Sequence, residues 1–131
     1  MRILLDTHAL LWLLDGNPRL ESAAADLVTD LANDVFASQV SFWEIAIKRR
    51  IGKIDIDLTK IINGCRRSGL KTLDIADAHF LQLPALPVFA DHRDPFDHLL
   101  IAQAMVENLA VLSDDRNFPR HPITVIPCGN G

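Results

Sequence analysis

Apolar positions along the chain change period several times, and each change marks an element. Residues 2–5 (RILL) read as a short buried strand, and the next apolar stretch, Ala9 to Leu14, belongs to a helix opening near Thr7. "GNPRL" (16–20) is a turn, with Pro18 suited to start the following helix. Leu20, Ala23, Ala24, Leu27, Val28 and Leu31 then recur at helical spacing. "DVFAS" (34–38) is a strand, and Ser41 opens a helix that runs to Arg50 and stops at Gly52. A helix over 58–67 ends at Ser68-Gly69, "LKTLDI" (70–75) begins as a strand, and 76–83 is a short helix. The proline-broken "LPALPVFADHRDP" (83–95) is irregular. A helix over 96–108 follows, with Phe96, Leu99, Leu100 and Ala104 on its apolar side. Residues 109–113 and 123–127 are strands by their β-branched content.

Strands that alternate with helices predict an α/β fold: a three-layer α/β/α sandwich around a central parallel sheet. A length of 131 residues fits one domain spanning 1–131. The topology carries a chemical consequence. Helices that link parallel strands begin near the carboxyl edge of the sheet, where open α/β folds place their ligands.

Four acids should reach that edge. Asp6 follows the first strand, Glu44 lies in the first turn of the helix after "VFAS", Asp97 opens the helix after "DHRDP", and Asp115 follows "LAVLS". Each has a plain structural explanation. Asp6 suits an N-cap, and Ser41-Phe42-Trp43-Glu44 fits a capping box. Asp94-Pro95 is an N-cap followed by N1, which leaves Asp97 as a dipole-favoured acid at N3. Asp114 and Asp115 suit a turn. Taken together these explanations weaken, because carboxylates gathered on one edge repel and raise each other's pKa. A divalent cation such as Mg²⁺ or Mn²⁺, which prefers oxygen ligands, removes that conflict and suits phosphodiester hydrolysis through a metal-activated water.

Charge and composition bound this reading. The chain is 49% hydrophobic with a net charge of −4, which speaks against a broad nucleic-acid-coating surface. It does not exclude a nuclease, since a metal among acids inverts the local field. Arg49, Arg50 and Lys53, within a basic cluster that includes Lys48, are the candidates for RNA backbone contacts; a solvated helix face explains them equally well. Cys65 and Cys128 have no metal-finger spacing and read as free thiols of a reducing cytoplasm. No secretory signal precedes Asp6, and the run from Ala9 to Leu14 is too short to span a membrane.

The segments "LLDTHALLWLL", "SFWEIAIKRRIGKI", "HFLQLPALP", "HRDPFDHLLIAQA" and "LSDDRNF" resemble, in order and over nearly the full length, those of PIN-domain ribonucleases of the VapC toxin type. The resemblance implies a PIN fold and a Mg²⁺- or Mn²⁺-dependent endoribonuclease, the toxin of a type II toxin–antitoxin module. It further implies a homodimer and a VapB-like antitoxin whose C-terminal segment binds near the active site. By this resemblance Asp6, Glu44 and Asp97 match the metal-site acids, and Asp115, or its neighbour Asp114, the fourth. Ser113 falls where relatives often place Thr, and His98 where they commonly place Arg. A non-catalytic regulator, either receiver-like or an RNA- or antitoxin-binding domain, is the rival class. A receiver, however, needs an acidic pair after its first strand, and here there is only Asp6.

Other residues carry weaker signals. Asp91, His92, Asp94, Asp97 and His98 are close in sequence and raise the question of zinc. On a helix, however, His98 lies about 100° round from Asp97, so the two do not readily share one ion. His8, His79 and His121 read as structural or exposed. Trp12 and Trp43 fall on apolar helix faces, where core packing is the expected role.

Overall fold

The computed structural model describes residues 1–129. The chain runs β1 (Arg2–Leu5), α1 (Thr7–Asp15), α2 (Ser22–Thr29), β2 (Asp34–Ser38), α3 (Gln39–Arg50), α4 (Leu58–Arg67) and β3 (Lys71–Leu73). It continues through α5 (Asp77–Gln82), α6 (Pro95–Glu107), β4 (Ala110–Leu112) and β5 (Val125–Ile126), with 3₁₀ turns at Leu83–Ala85 and Phe118–Arg120. The five strands form one sheet in the order β3-β2-β1-β4-β5, and every pairing is parallel. This is the predicted sandwich.

The period-2 geometry of strands explains how both faces are covered. Ile3, Leu5, Val35, Ala37 and Leu112 point to one side, where they pack with Ala9 and Leu10 of α1, Ala24 of α2 and Cys65 of α4. Leu4 and Val111 point to the other, against Leu99 to Ala102 of α6 and Phe118. Ile3, Leu4 and Leu5 are wholly buried, and each such side chain contributes about 1.5–3 kcal/mol. That burial fixes the position of the residue that follows them, Asp6.

From central β1 the chain moves outward to β2 and β3, then returns to the other side for β4 and β5. The reversal lies between β1 and β4, where such sheets bind ligands. There the Asp6 amide donates to the Leu112 carbonyl at 3.2 Å.

Four expectations need correction. Pro18 does not open α2: the Asn17 carboxamide oxygen accepts from the Arg19 amide at 2.9 Å, making a local turn, and the helix starts at Ser22. Leu31 lies beyond that helix and is fully exposed. Ser41 does not cap α3; Ser38 does, accepting from the Val40 amide at 3.0 Å. Glu44 therefore lies in the second turn and answers no capping box. Trp43 is not a core residue: it is 47% exposed and stands edge-on to Phe96, with ring centroids 4.7 Å apart. Trp12 is half-buried against the core, as expected.

A buried polar relay ties β2 to α6 and α5. Ser38 Oγ donates to Gln103 Oε1 at 2.6 Å, and Gln103 Nε2 donates to the Asp74 carbonyl at 3.3 Å. His79 Nδ1 accepts from the Ala76 amide at 3.0 Å, which leaves Nε2–H to donate to Glu107 at 3.1 Å. His79 is thus structural. Gln103→Leu strands the Ser38 hydroxyl and the Asp74 carbonyl, so it should destabilise the fold by about 1–3 kcal/mol, read by urea denaturation. An unchanged midpoint would show that the relay is dispensable.

Candidate active site

The edge outside the carboxyl ends of β1, β2 and β4 gathers the four predicted acids. Asp6, 4% exposed, is both cap and site residue: Oδ1 accepts from the Ala9 amide at 2.7 Å, and Oδ2 accepts from the Ser113 hydroxyl at 2.5 Å. Burial raises its pKa, and the charge of Asp115 adds to the rise, while the Ser113 and Ala9 hydrogen bonds oppose it.

Glu44 is equally buried. Its Oε1 accepts from the Thr7 hydroxyl at 2.7 Å, and its Oε2 is held by Lys48, one helical turn further on. Since the Thr7 proton goes to Glu44, Ser41 Oγ donates in its 2.9 Å contact with Thr7. The start of α1 and the second turn of α3 are thereby joined, with Glu44 bound to the residue that follows Asp6.

Asp97 occupies the first turn of α6, whose N-cap is Asp94 as expected: Asp94 Oδ1 accepts from the amides of Phe96 at 2.9 Å and Asp97 at 3.3 Å. His92 Nε2 lies 3.2 Å from Asp97 Oδ2. Burial first, then the adjacent charge of Asp94, pushes the Asp97 pKa up to about 7, with smaller upward contributions from Asp115 and Glu44. Those contributions show that acids from three separate segments share one field.

Asp115 and Asp114 have divided roles. Asp114 Oδ1 accepts from the Cys128 amide at 2.6 Å and the Gly129 amide at 3.3 Å, anchoring the C-terminal segment. Asp115 acts on both Asp6 and Asp97, and its amide donates to Ser113 Oγ at 3.0 Å. Of the two, Asp115 is the one that faces the other acids.

Lys48 is the basic residue that meets this group, and sequence reasoning placed it only within a basic cluster. Its signal was the i, i+4 spacing from Glu44. Its pKa is raised by Glu44, Asp94 and Asp97 against the opposing effect of burial. Arg49, Arg50 and Lys53 stand further along, beyond the acids on the chain's way back towards the amino edge. Arg49 donates to the Ile56 carbonyl at 2.9 Å, and all three are exposed. Thr7 was missed because its partners, Ser41 and Glu44, come from another element; His92 stood out only by its nearness to acids in the sequence, which did not show its contact with Asp97.

The chemistry of the donor set suits a hard cation. All its donors are oxygens, the carboxylates crowd in a desolvated edge, and burial raises the pKa of both Asp6 and Asp97, a cost that a positive charge would relieve. Among the described residues, no three acidic, histidine or cysteine side chains already converge on one point, so closing on an ion requires side-chain rotation.

A parallel α/β domain with carboxylates collected at its switch point defines a class of acid-edge domains. The PIN-domain family model matches residues 3–123, and the chain belongs to that family. PIN domains are generally nucleases that use divalent metal ions. The fold is similar to VapBC2 of Rickettsia felis bound to a promoter DNA fragment, with TM-score 0.71, 15% identity, and coverage of 97% of this chain and 98% of that one. It is also similar to DNA-bound VapBC of Salmonella typhimurium, with TM-score 0.70, 17% identity, and coverage of 98% and 99%. VapBC-1 of nontypeable Haemophilus influenzae gives TM-score 0.68, 15% identity and 98% coverage of both chains. Comparison by sequence with curated proteins finds no match. Among the described residues, no helix is long and apolar enough to cross a membrane.

Proposed function

We propose that this PIN domain is a Mg²⁺- or Mn²⁺-dependent endoribonuclease, the toxin of a type II toxin–antitoxin pair acting in the cytoplasm. The observation that carries the reading is the convergence of acids from separate chain segments on one buried edge, with Asp97 pushed up to about 7. Asp6, Glu44, Asp97 and Asp115 would hold the ion. When bound, it supplies Lewis acidity to the phosphodiester and acidifies a water. The chain's own residues do the rest. Ser113 fixes Oδ2 of Asp6, while Thr7 and Lys48 fix the two oxygens of Glu44. Asp97 is poised to exchange a proton near neutral pH.

Ser113→Ala removes the hydroxyl that orients Asp6. Loss of such supporting hydrogen bonds typically costs 10–100-fold in metal affinity or activity. The expected result is a drop of about that size in Mn²⁺ affinity by calorimetry, with the melting temperature within a few degrees of wild type. Unchanged affinity would remove Ser113 from the site.

RNA would approach over Trp43, which is exposed, precedes Glu44 on α3 and stands against Phe96, the residue before Asp97. Arg49, Arg50 and Lys53 would track its backbone. Stacking on one aromatic contributes about 1–3 kcal/mol per base, so Trp43→Ala should weaken binding of single-stranded RNA about 5- to 100-fold by fluorescence anisotropy. Equal binding would return Trp43 to a packing role.

The VapBC complexes whose fold this chain shares pair a toxin with its antitoxin, and this chain would have such a VapB-like partner. A homodimer is supported by the exposed Phe80, Leu81 and Val88 around α5. The test is incubation of RNA with Mg²⁺ or Mn²⁺, with and without EDTA. Cleavage that needs the ion is expected. Cleavage that persists in chelator defeats the metal assignment, and RNA bound but uncut under all conditions would identify a non-catalytic binding domain.

A further inference from the structure

Beside the acids lies a group of side chains that the nuclease reading does not use. His92 precedes α6, His98 is in its first turns, and His121 follows the 3₁₀ turn at Phe118–Arg120. Their rings meet pairwise, with centroids 4.7 Å apart for His92 and His98, 6.1 Å for His92 and His121, and 6.2 Å for His98 and His121. His92 and His121 are buried. Among the described residues, the buried side-chain nitrogens and oxygens without any hydrogen-bond partner are His92 Nδ1, His98 Nε2 and both nitrogens of His121. All of them belong to this cluster.

Orphaned buried polar atoms cost about 1–3 kcal/mol each, so their concentration in one triad calls for a ligand common to all three. The second nitrogen of His92 is placed as a metal-bound histidine requires. His92 Nε2 faces the Asp97 carboxylate at 3.2 Å. A histidine that binds metal through one nitrogen usually donates from the other to a carboxylate or carbonyl, which fixes its tautomer. The free atom of His92, Nδ1, is then its lone-pair nitrogen, and Nε2 of His98 is free to serve as another.

Three imidazoles around a tetrahedral ion, with bonds of about 2.0–2.1 Å, place their ring centroids about 5 Å apart. The observed separations bracket that value from 4.7 to 6.2 Å. The nitrogens do not yet converge on one point, and closure needs rotation of the rings, chiefly that of His121. His92 and His98 also line a cavity of ≈ 670 Å³ with Leu86 and Phe89, which offers an entry path and a fourth position. Imidazole donors select a borderline transition metal over Mg²⁺ or Mn²⁺.

We infer that His92, His98 and His121 form a zinc-binding site distinct from the carboxylate edge and joined to it only through the contact of His92 with Asp97. His98 and Asp97 then serve different ions, as their angular separation on α6 requires. The site does not depend on the nuclease reading.

The test is titration of the full chain with Zn²⁺ in a large excess of Mg²⁺, which occupies oxygen sites but competes poorly for imidazole. One tight equivalent is expected in wild type and again in Asp6→Asn. In His121→Phe and in His98→Leu the affinity should fall at least tenfold, with folding checked by circular dichroism. X-ray absorption of zinc-loaded wild type, which needs no variant, should show imidazole nitrogens in the first coordination shell. Absence of tight Zn²⁺ binding in wild type overturns the inference. So does an oxygen-only shell, or Zn²⁺ affinity that survives both histidine substitutions and is lost in Asp6→Asn. Each of these readings is independent of RNA cleavage, so a failed nuclease assay leaves this outcome untouched.

Discussion

Asp6→Asn should lower metal-dependent RNA cleavage by at least about 100-fold while leaving the metal-free fold as stable as wild type or slightly more so. The activity loss follows from removing a ligand: supporting hydrogen bonds alone are worth 10–100-fold, and a direct oxygen ligand to the ion is worth more. The stability argument is independent. Asp6 caps α1 through the Ala9 amide at 2.7 Å, and Asn caps about as well as Asp. The Ser113 hydroxyl loses a charged acceptor. Against that loss, the substitution removes a carboxylate that burial and Asp115 keep from ionising readily. A neutral amide at that position relieves both. Asp6→Ala separates the roles, since it also destroys the cap and costs about 0.5–2 kcal/mol. The measurements are gel-resolved RNA cleavage with Mn²⁺ and thermal melting in EDTA. Full activity in Asp6→Asn would defeat the metal-site assignment, and a fall of ten degrees or more would show that capping is the residue's main work.

The fold was legible because its signal is local and repeated. Apolar runs of strand length alternate with helical periods, and parallel pairing follows from that alternation. The four acids were legible for a related reason: topology alone sends the residue after each strand to one edge. What escaped the sequence depended on contacts between elements. Ser38 and Ser41 both precede an apolar helix at plausible capping positions, and only the contact of Thr7 with Ser41 shows which hydroxyl is otherwise engaged. That difference matters, because a Glu44 in a capping box would turn back to the start of its own helix instead of towards Thr7 and Lys48. Trp43 looked like core by its apolar neighbours, but it stands half exposed, edge-on to Phe96. His92 and His98 stood out by their closeness in sequence, but the third member of the histidine cluster did not. His121 lies outside every periodic segment, and its approach to His92 and His98 is set by the packing of Phe118 against α6.

The metal-free protein should lose stability as pH rises from about 4 to 7, and a bound divalent ion should abolish that loss. Asp97 has an ordinary value of 3.8 and is pushed to about 7 in the folded chain. Between those values the folded state keeps a proton that the unfolded chain has released. Stability conferred by that proton is therefore present at low pH and gone above about 7. At about 1.4 kcal/mol per unit the full effect is on the order of 4 kcal/mol, and Asp6, also raised, acts in the same direction. His98 and His121 act oppositely: burial lowers their values, so they favour the fold as pH rises towards 6.5. The difference between wild type and Asp97→Asn isolates the carboxylate, since both chains share the histidines. In EDTA the melting temperature of wild type relative to Asp97→Asn should fall steadily from pH 4 to 7 and then level. With saturating Mn²⁺ the ion replaces the proton as the source of positive charge, so the decline should vanish. Mn²⁺ affinity should instead climb about tenfold per pH unit up to 7, because the ion must displace that proton. A wild-type curve that parallels Asp97→Asn at every pH would mean Asp97 ionises normally, and the carboxylates would then not be crowded enough to demand a metal.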